Sequence, residues 1–318
     1  MAPSRLSVFG VLGIVALVLA LSALQAGLPG AVSSRIAWLG AQTVSRNGAA
    51  LAIAHLRWPQ PRLPARSLCV LSIFKNETVN LREWASHYKW QGASAVVLLD
   101  NGGPGDDGSW RSELGGLENF VTVLDAPLRH AQEIQYNDVG RPWLEARGCE
   151  FVAVLDIDEF LYLDAPITPH QSLQTTILDA FDEATVSQLS CNWLMFGSSG
   201  LISHPRGRVR TNFTWRAAKA HSERKSIVRM SSLVRLRVHV HEVLGSTVAC
   251  PPRLALNHYA IQSREYFEEV KMRRGDVAGM SNENVRTWAY FEAYDHHEFE
   301  DVTLRDLLLQ RAASGDDS

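Results

Sequence analysis

Three short runs most constrain this chain: LCVLSIF (68–74), AVVLLD (95–100) and FVAVL (151–155) are almost wholly apolar and too short for buried helices. Between the first two lies NLREWASHYKWQG (80–92), with helical spacing closed by Gly92; NGGPGDDGS (101–109) then reads as loop. A weaker strand at Phe120–Leu124 and a polar helix over Ala131–Arg147, with Pro142 as a break, precede the third run. Strand, helix, strand, strand, helix, strand predicts an α/β fold built on an open mixed sheet flanked by helices. In such sheets ligands collect beyond the carboxyl ends of the strands.

The 318 residues suit one large domain or two small ones, and 46% hydrophobic content suffices for a substantial core. A net charge of −3 gives no reason to expect nucleic acid as a partner, and no basic/aromatic RNA motif is present. No charge occurs from Leu6 to Ala26, a run that as a helix would span roughly 30 Å, the thickness of a bilayer core. With Arg5 ahead of it, the expected topology is a type II signal anchor: a cytosolic tail at 1–5, a membrane helix at 6–26 and a luminal remainder, in Golgi or ER if eukaryotic and extracytoplasmic otherwise. A cleaved signal peptide ending near ALQAG (23–27) is the alternative. Residues 27–66, closing in RWPQPRLPAR, read as a stem, followed by a folded domain over 67–275 and an extension over 276–318. Cys69, Cys149, Cys191 and Cys250 lack C-x-x-C spacing, which argues against a thiolate zinc site; disulfides in any of three full pairings, or free thiols, stay open.

The third run ends in Asp156-Ile157-Asp158-Glu159, three carboxylates within four residues. If the segment stays extended, Asp156 and Asp158 face one way and Glu159 the other. Two like charges held together call for a cation between them, and hard oxygen ligands suit Mg²⁺ or Mn²⁺. Such an ion would neutralise charge on a departing diphosphate. A phosphatase of the haloacid-dehalogenase type also places D-x-D after an apolar strand, but near the start of its domain.

Taken in order, several blocks resemble glycosyltransferase family 92 and its family-2-like relatives, which share the GT-A fold. They are Lys75-Asn76-Glu77 with Leu81-Arg82-Glu83-Trp84 and His87, Leu99-Asp100-Asn101, Tyr136-Asn137-Asp138, Asp156-Ile157-Asp158-Glu159-Phe160, Trp193 with Phe196-Gly197-Ser198-Ser199-Gly200, Lys225-Ser226-Ile227-Val228, His239, and Asn257-His258-Tyr259. The resemblance covers residues 68–275. It implies a metal-dependent transfer of a hexose, such as galactose, from a UDP-sugar to a glycan or glycoconjugate, with inversion. It further implies nucleotide-sugar contacts from Glu77, Asp100, Tyr136, Asn137, Asp138 and Asp156, and Mn²⁺ (or Mg²⁺) held by Asp156, Asp158 and a later histidine, His239, His241 or His258. Trp84 and Tyr88, four apart on a helix, read as core.

Between Arg206 and Arg237 stand ten Lys or Arg residues and one acid, Glu223. Lys225 and Arg229 are the expected diphosphate clamp. Trp193, Gly197 and Ser198 are expected on the acceptor or sugar side, Trp193 stacking on a sugar or lying in the core. Inversion needs a carboxylate base, for which Glu223 and Glu242 are the candidates, with Asp295 also available. His296 and His297 read as a solvated acidic turn more readily than as metal ligands. A phosphatase or nucleotidyltransferase, or an inactive glycan-binding domain of the same fold, are the competing functions.

Overall fold

The computed structural model describes residues 61–102, 108–168, 170–274 and 286–315. The expected anchor at 6–26 and nearly all of the stem lie outside them. No helix among the described residues is long and apolar enough to cross a membrane.

The three apolar runs become strands β1 (Leu68–Phe74), β2 (Ala95–Asp100) and β4 (Phe151–Val154), with β3 at Val121–Asp125. All four are parallel, in the spatial order β3-β2-β1-β4. Their uninterrupted hydrophobicity reflects burial on both faces. Leu68, Val70 and Phe74 of β1 point to helix α1 (Thr78–Trp90) and its Leu81, Trp84, Ala85 and Tyr88. Leu71 and Ile73 point the other way, to Tyr136 and Leu144. Trp84 and Tyr88 are fully buried, edge to face at 4.7 Å, so the core expected on this helix is present.

The helix expected over 131–147 is interrupted six residues ahead of Pro142. A π-helical turn at Tyr136–Gly140 leads into α2 (Arg141–Arg147), and Pro142 sits in the first turn of α2, where its missing N–H costs little. Gly140 lies against β1; a Cβ there would come within 2.9 Å of Leu71.

Beyond β4 the sheet turns mixed. β5 (Glu159–Leu163), β6 (Val186–Met195), β8 (Arg224–Arg229) and β12 (Leu254–His258) extend it as β4-β8-β6-β12-β5, with β11 (Ser246–Ala249) beside β6, nine strands in all. β8 runs antiparallel to β4 and β6, while β12 is parallel to β6. Two small pairs, β9 (Leu233–Arg235) with β10 (Glu242–Val243) and β7 (Trp215–Arg216) with β13 (Phe299–Glu300), stand apart.

The chain past residue 286 docks onto this body. Helix α3 (Trp288–Tyr294) packs through Phe291 and Trp288 on Phe267, and α4 (Thr303–Ala313) lies against the short helix Val209–Asn212. The partly buried pair Arg216–Asp301 at 2.7 Å fixes β13 to β7. The pairing left open for the cysteines is Cys69–Cys149 and Cys191–Cys250.

Candidate functional site

Helix α1 builds the acidic turn. Its buried aromatic tips meet backbone carbonyls that no strand partner reaches: Trp84 Nε1 donates to the carbonyls of Asp156 and Glu159, at 2.9 and 3.0 Å. Tyr88 Oη donates to Glu159 O and accepts from Leu161 N, while His87 Nε2 lies 2.9 Å from Leu161 O. Spacing of three and four residues puts these tips on one helix face. Burial, aided by Arg210, keeps His87 well below the usual histidine range and so neutral.

The turn they hold is not extended. Glu159 N donates to Asp156 O at 3.0 Å, folding the segment back into β5. Asp156 and Asp158 therefore diverge instead of converging on one cation, and Glu159 turns inward. Its carboxylate is fully buried and Oε2 accepts from Asp156 N at 2.8 Å. Burial pushes the Glu159 carboxyl well above its usual range, against the pull of Lys225.

Each acid of the D-x-D pair meets a different buried lysine. Lys225 Nζ lies 2.9 Å from Asp156 Oδ2 and 3.9 Å from Glu159 Oε2, and donates to Val238 O at 3.0 Å. Lys271 Nζ, from the π-helical turn Phe267–Lys271, lies 2.5 Å from Asp158 Oδ2 and 2.8 Å from Glu77 Oε1. Asp156 keeps a third of its side chain in solvent (34%), whereas Asp158 is 8% exposed. Burial opposes the charge on Asp158, yet Lys271 and His258 hold its carboxyl well below the usual range.

The other expected site residues divide by position. Glu77 and Asp100 stand at the carboxyl ends of β1 and β2, Glu77 buried against Lys271 and Asp100 accepting the Gly102 N–H at 2.9 Å in an Asx turn. Tyr136 is fully buried; its hydroxyl accepts from Gln132 at 2.6 Å, and burial, with Asp156 nearby, raises its pKa. Asn137 brackets Leu236 through both backbone groups, a structural clasp, and Asp138 is exposed.

Several expectations are overturned. Lys225 is no diphosphate clamp, because its ammonium is fully buried and engaged by Asp156 and Val238. Arg229 sits at the wrong end of the sheet. It is paired in register with Phe151, five residues before Asp156 or roughly 16 Å along a strand, and donates to the carbonyls of Phe181 and Val186. Trp193 is 9% exposed and packs against His258 (4.3 Å), His239 (5.5 Å) and His221 (5.9 Å), which leaves no face for a sugar. Gly197 makes room for the chain itself: a Cβ would come within 2.4 Å of His296 O. Ser198 N donates to Asp295 Oδ1 at 2.7 Å, so the 295–297 turn is docked on this loop and not simply solvated. Glu242 is ion-paired with Arg237, which also holds Glu133 at 2.8 Å. Glu223 remains exposed beside His221 and Trp193.

The resemblance implies a divalent cation, and part of the expected donor set fits one. Asp158 Oδ1 is buried without a hydrogen-bond partner and faces His258 Nε2 at 3.4 Å. A carboxylate oxygen beside an imidazole suits Mn²⁺ better than Mg²⁺. Glu77, Asp156 and Asp158 face two ammoniums among the described residues, so the cluster carries no surplus of positive charge for a diphosphate. Asp156 and His239 do not complete the set: Asp156 is turned to Lys225, and among the described residues no three His, Cys, Asp or Glu side chains converge as metal ligands. A two-ligand seat completed by water and substrate oxygens is ordinary for such ions.

Sequence reading missed Lys271. In FEEVKMRR a lysine reads as one more solvated charge, and only the π-helical turn rotates it inward to 1% exposure.

No family model matches the chain. By sequence it is 26% identical over 227 residues to a glycosyltransferase family 92 protein of Oryza sativa subsp. japonica, a match covering 65% of this chain and 35% of that protein. Family 92 proteins of Ricinus communis (28% over 227 residues, 68% of this chain and 40% of that one) and Arabidopsis thaliana (28% over 219 residues, 65% and 37%) are similar. The chain thus spans two fifths or less of the length of these curated relatives. Among solved structures it is similar to S. aureus TarS 1-349 (TM-score 0.37, 14% identity, 64% of this chain and 62% of that one). It is also similar to HddC from Yersinia pseudotuberculosis (TM-score 0.36, 7% identity, 63% and 96%). Both likenesses are too distant to carry an argument. What the ordered residue blocks implied is matched by the sequence relatives: over some two thirds of its length the chain is similar to glycosyltransferase family 92.

Proposed function

We propose that this chain is a metal-dependent glycosyltransferase that moves a hexose, such as galactose, from a UDP-sugar to a glycan or glycoconjugate, with inversion. The observation that carries this reading is the Asp158 Oδ1–His258 Nε2 pair within a cluster short of positive charge at the carboxyl ends of the strands. Ligands of open α/β sheets gather at that end. The sequence relatives named as family 92 glycosyltransferases support the reaction class.

Asp158 and His258 are the residues that would hold Mn²⁺ (or Mg²⁺), and the bound ion supplies positive charge to the departing diphosphate. In this reading Glu77 and Asp100, at the ends of β1 and β2, contact the nucleoside, and Asp156, a third of whose side chain is in solvent, contacts the ribose. Glu223, unpaired by any lysine or arginine among the described ion pairs, is the base that takes the proton from the acceptor hydroxyl as its oxygen attacks the anomeric carbon and the UDP oxygen leaves. The uncharged run at 6–26 and the two disulfides, which persist in oxidising compartments, support a type II anchored protein with this domain outside the cytosol.

Calorimetry with UDP, with and without Mn²⁺, tests the reading, followed by a screen for UDP release from hexose donors. Metal-dependent UDP binding, lost in Asp158→Ala, is expected. Equal UDP binding by that variant, or release of inorganic phosphate from simple phosphomonoesters without UDP recognition, would sink it.

A further inference from the structure

Lys271 touches none of the groups that react, yet among the described residues its side chain joins the two acids past the ends of β1 and β4. It is 1% exposed and lies 2.5 Å from Asp158 Oδ2 and 2.8 Å from Glu77 Oε1, residues 113 and 194 positions away in sequence. The segment leading into its turn is anchored upstream. Ser263 Oγ accepts from Tyr266 N, and Asn80 of α1 donates to Gln262 Oε1 and Tyr266 Oη at 3.2 and 3.0 Å. Asp158 and Glu77 are themselves 8% and 3% exposed. Without a cation two buried carboxylates so placed would repel, and desolvation would disfavour both charges.

We propose that Lys271 is a built-in counter-ion that competes with the divalent ion for Asp158. It keeps the donor site assembled while empty, and it makes metal binding depend on the nucleotide. This rests on the metal-dependent reading above. An ammonium beside Asp158 Oδ2 lowers the negative potential at Oδ1, the oxygen that faces His258. Free Mn²⁺ then meets a largely neutralised ligand, whereas a diphosphate arriving with Mn²⁺ adds the negative charge that stabilises both cations together. Lys271 is thus a positioning residue acting through Asp158. Lys225 cannot take its place, because it is held by Asp156 and Val238.

The test is calorimetry with Mn²⁺ alone, then with Mn²⁺ and UDP, on the wild type, Lys271→Met and Lys271→Arg. Wild type and K271R are expected to bind free Mn²⁺ weakly and to gain affinity with UDP. K271M should bind free Mn²⁺ about tenfold tighter or more, a conservative figure for removing a unit charge at this range, with less gain from UDP. Glu77→Gln/Lys271→Met, with one buried acid fewer to balance, should fall between wild type and K271M. Thermal melts give an independent readout: the midpoint of K271M should rise steeply with Mn²⁺ and that of the wild type little. Free Mn²⁺ bound by K271M and the double variant no more tightly than by the wild type would overturn the proposal, as would failure of both to fold in saturating Mn²⁺. Loss of UDP binding by the wild type even with Mn²⁺ would instead count against the donor-site reading itself, so the two failures are distinguishable.

Discussion

Two buried clusters flank the same acidic turn, and each sets one lysine among two carboxylates. Around Lys225 the ammonium also reaches Val238 O and Glu159 Oε2 accepts the Asp156 N–H, while Glu159 Oε1 is buried without a hydrogen-bond partner. Around Lys271 the oxygen without a hydrogen-bond partner, Asp158 Oδ1, differs in facing an imidazole, His258 Nε2 at 3.4 Å. The first cluster meets solvent through Asp156, at 34% exposure; the second keeps only 8–9% of Asp158 and His258 in solvent. In the proposed reading the Lys225 side is a folding element and the Lys271 side a binding element, although a D-x-D motif read as text treats its two acids alike.

The sharpest way to break this comparison is to remove one acid at a time. Asp158→Ala should lower transfer by about a thousandfold, the several kcal/mol that a lost metal seat represents, while Asp156→Asn should cost roughly tenfold; kcat/KM for a UDP-hexose would show whether the two are unequal. Next comes the first cluster: Lys225→Met leaves Asp156 and Glu159 without a cation and should destabilise the fold by about 3–5 kcal/mol in denaturant melts. A loss below about 1 kcal/mol would mean the cluster is not the folding element described.

A smaller effect concerns His241, whose pKa burial, helped by Lys225, lowers to about 3. Between that value and the unfolded value near 6.5, the unfolded chain binds the proton and the folded one does not. Stability should therefore fall as pH drops from about 6.5 toward 3, and His241→Gln should flatten that slope in urea melts at successive pH values. Smallest of all should be the effect of Arg229→Gln on donor affinity, within about twofold. The same change should cost stability on the order of 1–2 kcal/mol, from lost contacts to the Phe181 and Val186 carbonyls.

The sheet was legible because its strands are apolar without alternation, a pattern that short double-sided burial produces and little else does. The helix α1 was legible for the same reason, its Trp84 and Tyr88 spaced to enter the core. The acidic turn was half legible. Spacing found Asp156 and Asp158, but the assumption of extended backbone hid the bend that separates them, which depends on Trp84 and Tyr88 some seventy residues away. Lysines were misread in both directions. Lys225 and Arg229 looked like a pair because they are four residues apart, yet on strand β8 that interval spans roughly 13 Å, enough to place them toward opposite ends of the strand. Lys271 was invisible because a long-range ion pair leaves no local signature.

The Cys69–Cys149 bridge has a consequence of its own. It joins the start of β1 to the residues just before β4, a closed loop with 80 residues of separation, while the acidic turn lies past the opposite ends of the same strands. By chain entropy such a loop restrains the unfolded protein by about 4–5 kcal/mol. Protein made in a reducing cytosol would therefore lose resistance to heat at the rear of the sheet while keeping the charge arrangement at its front. A low yield from such a host would report on the staple, not on the chemistry.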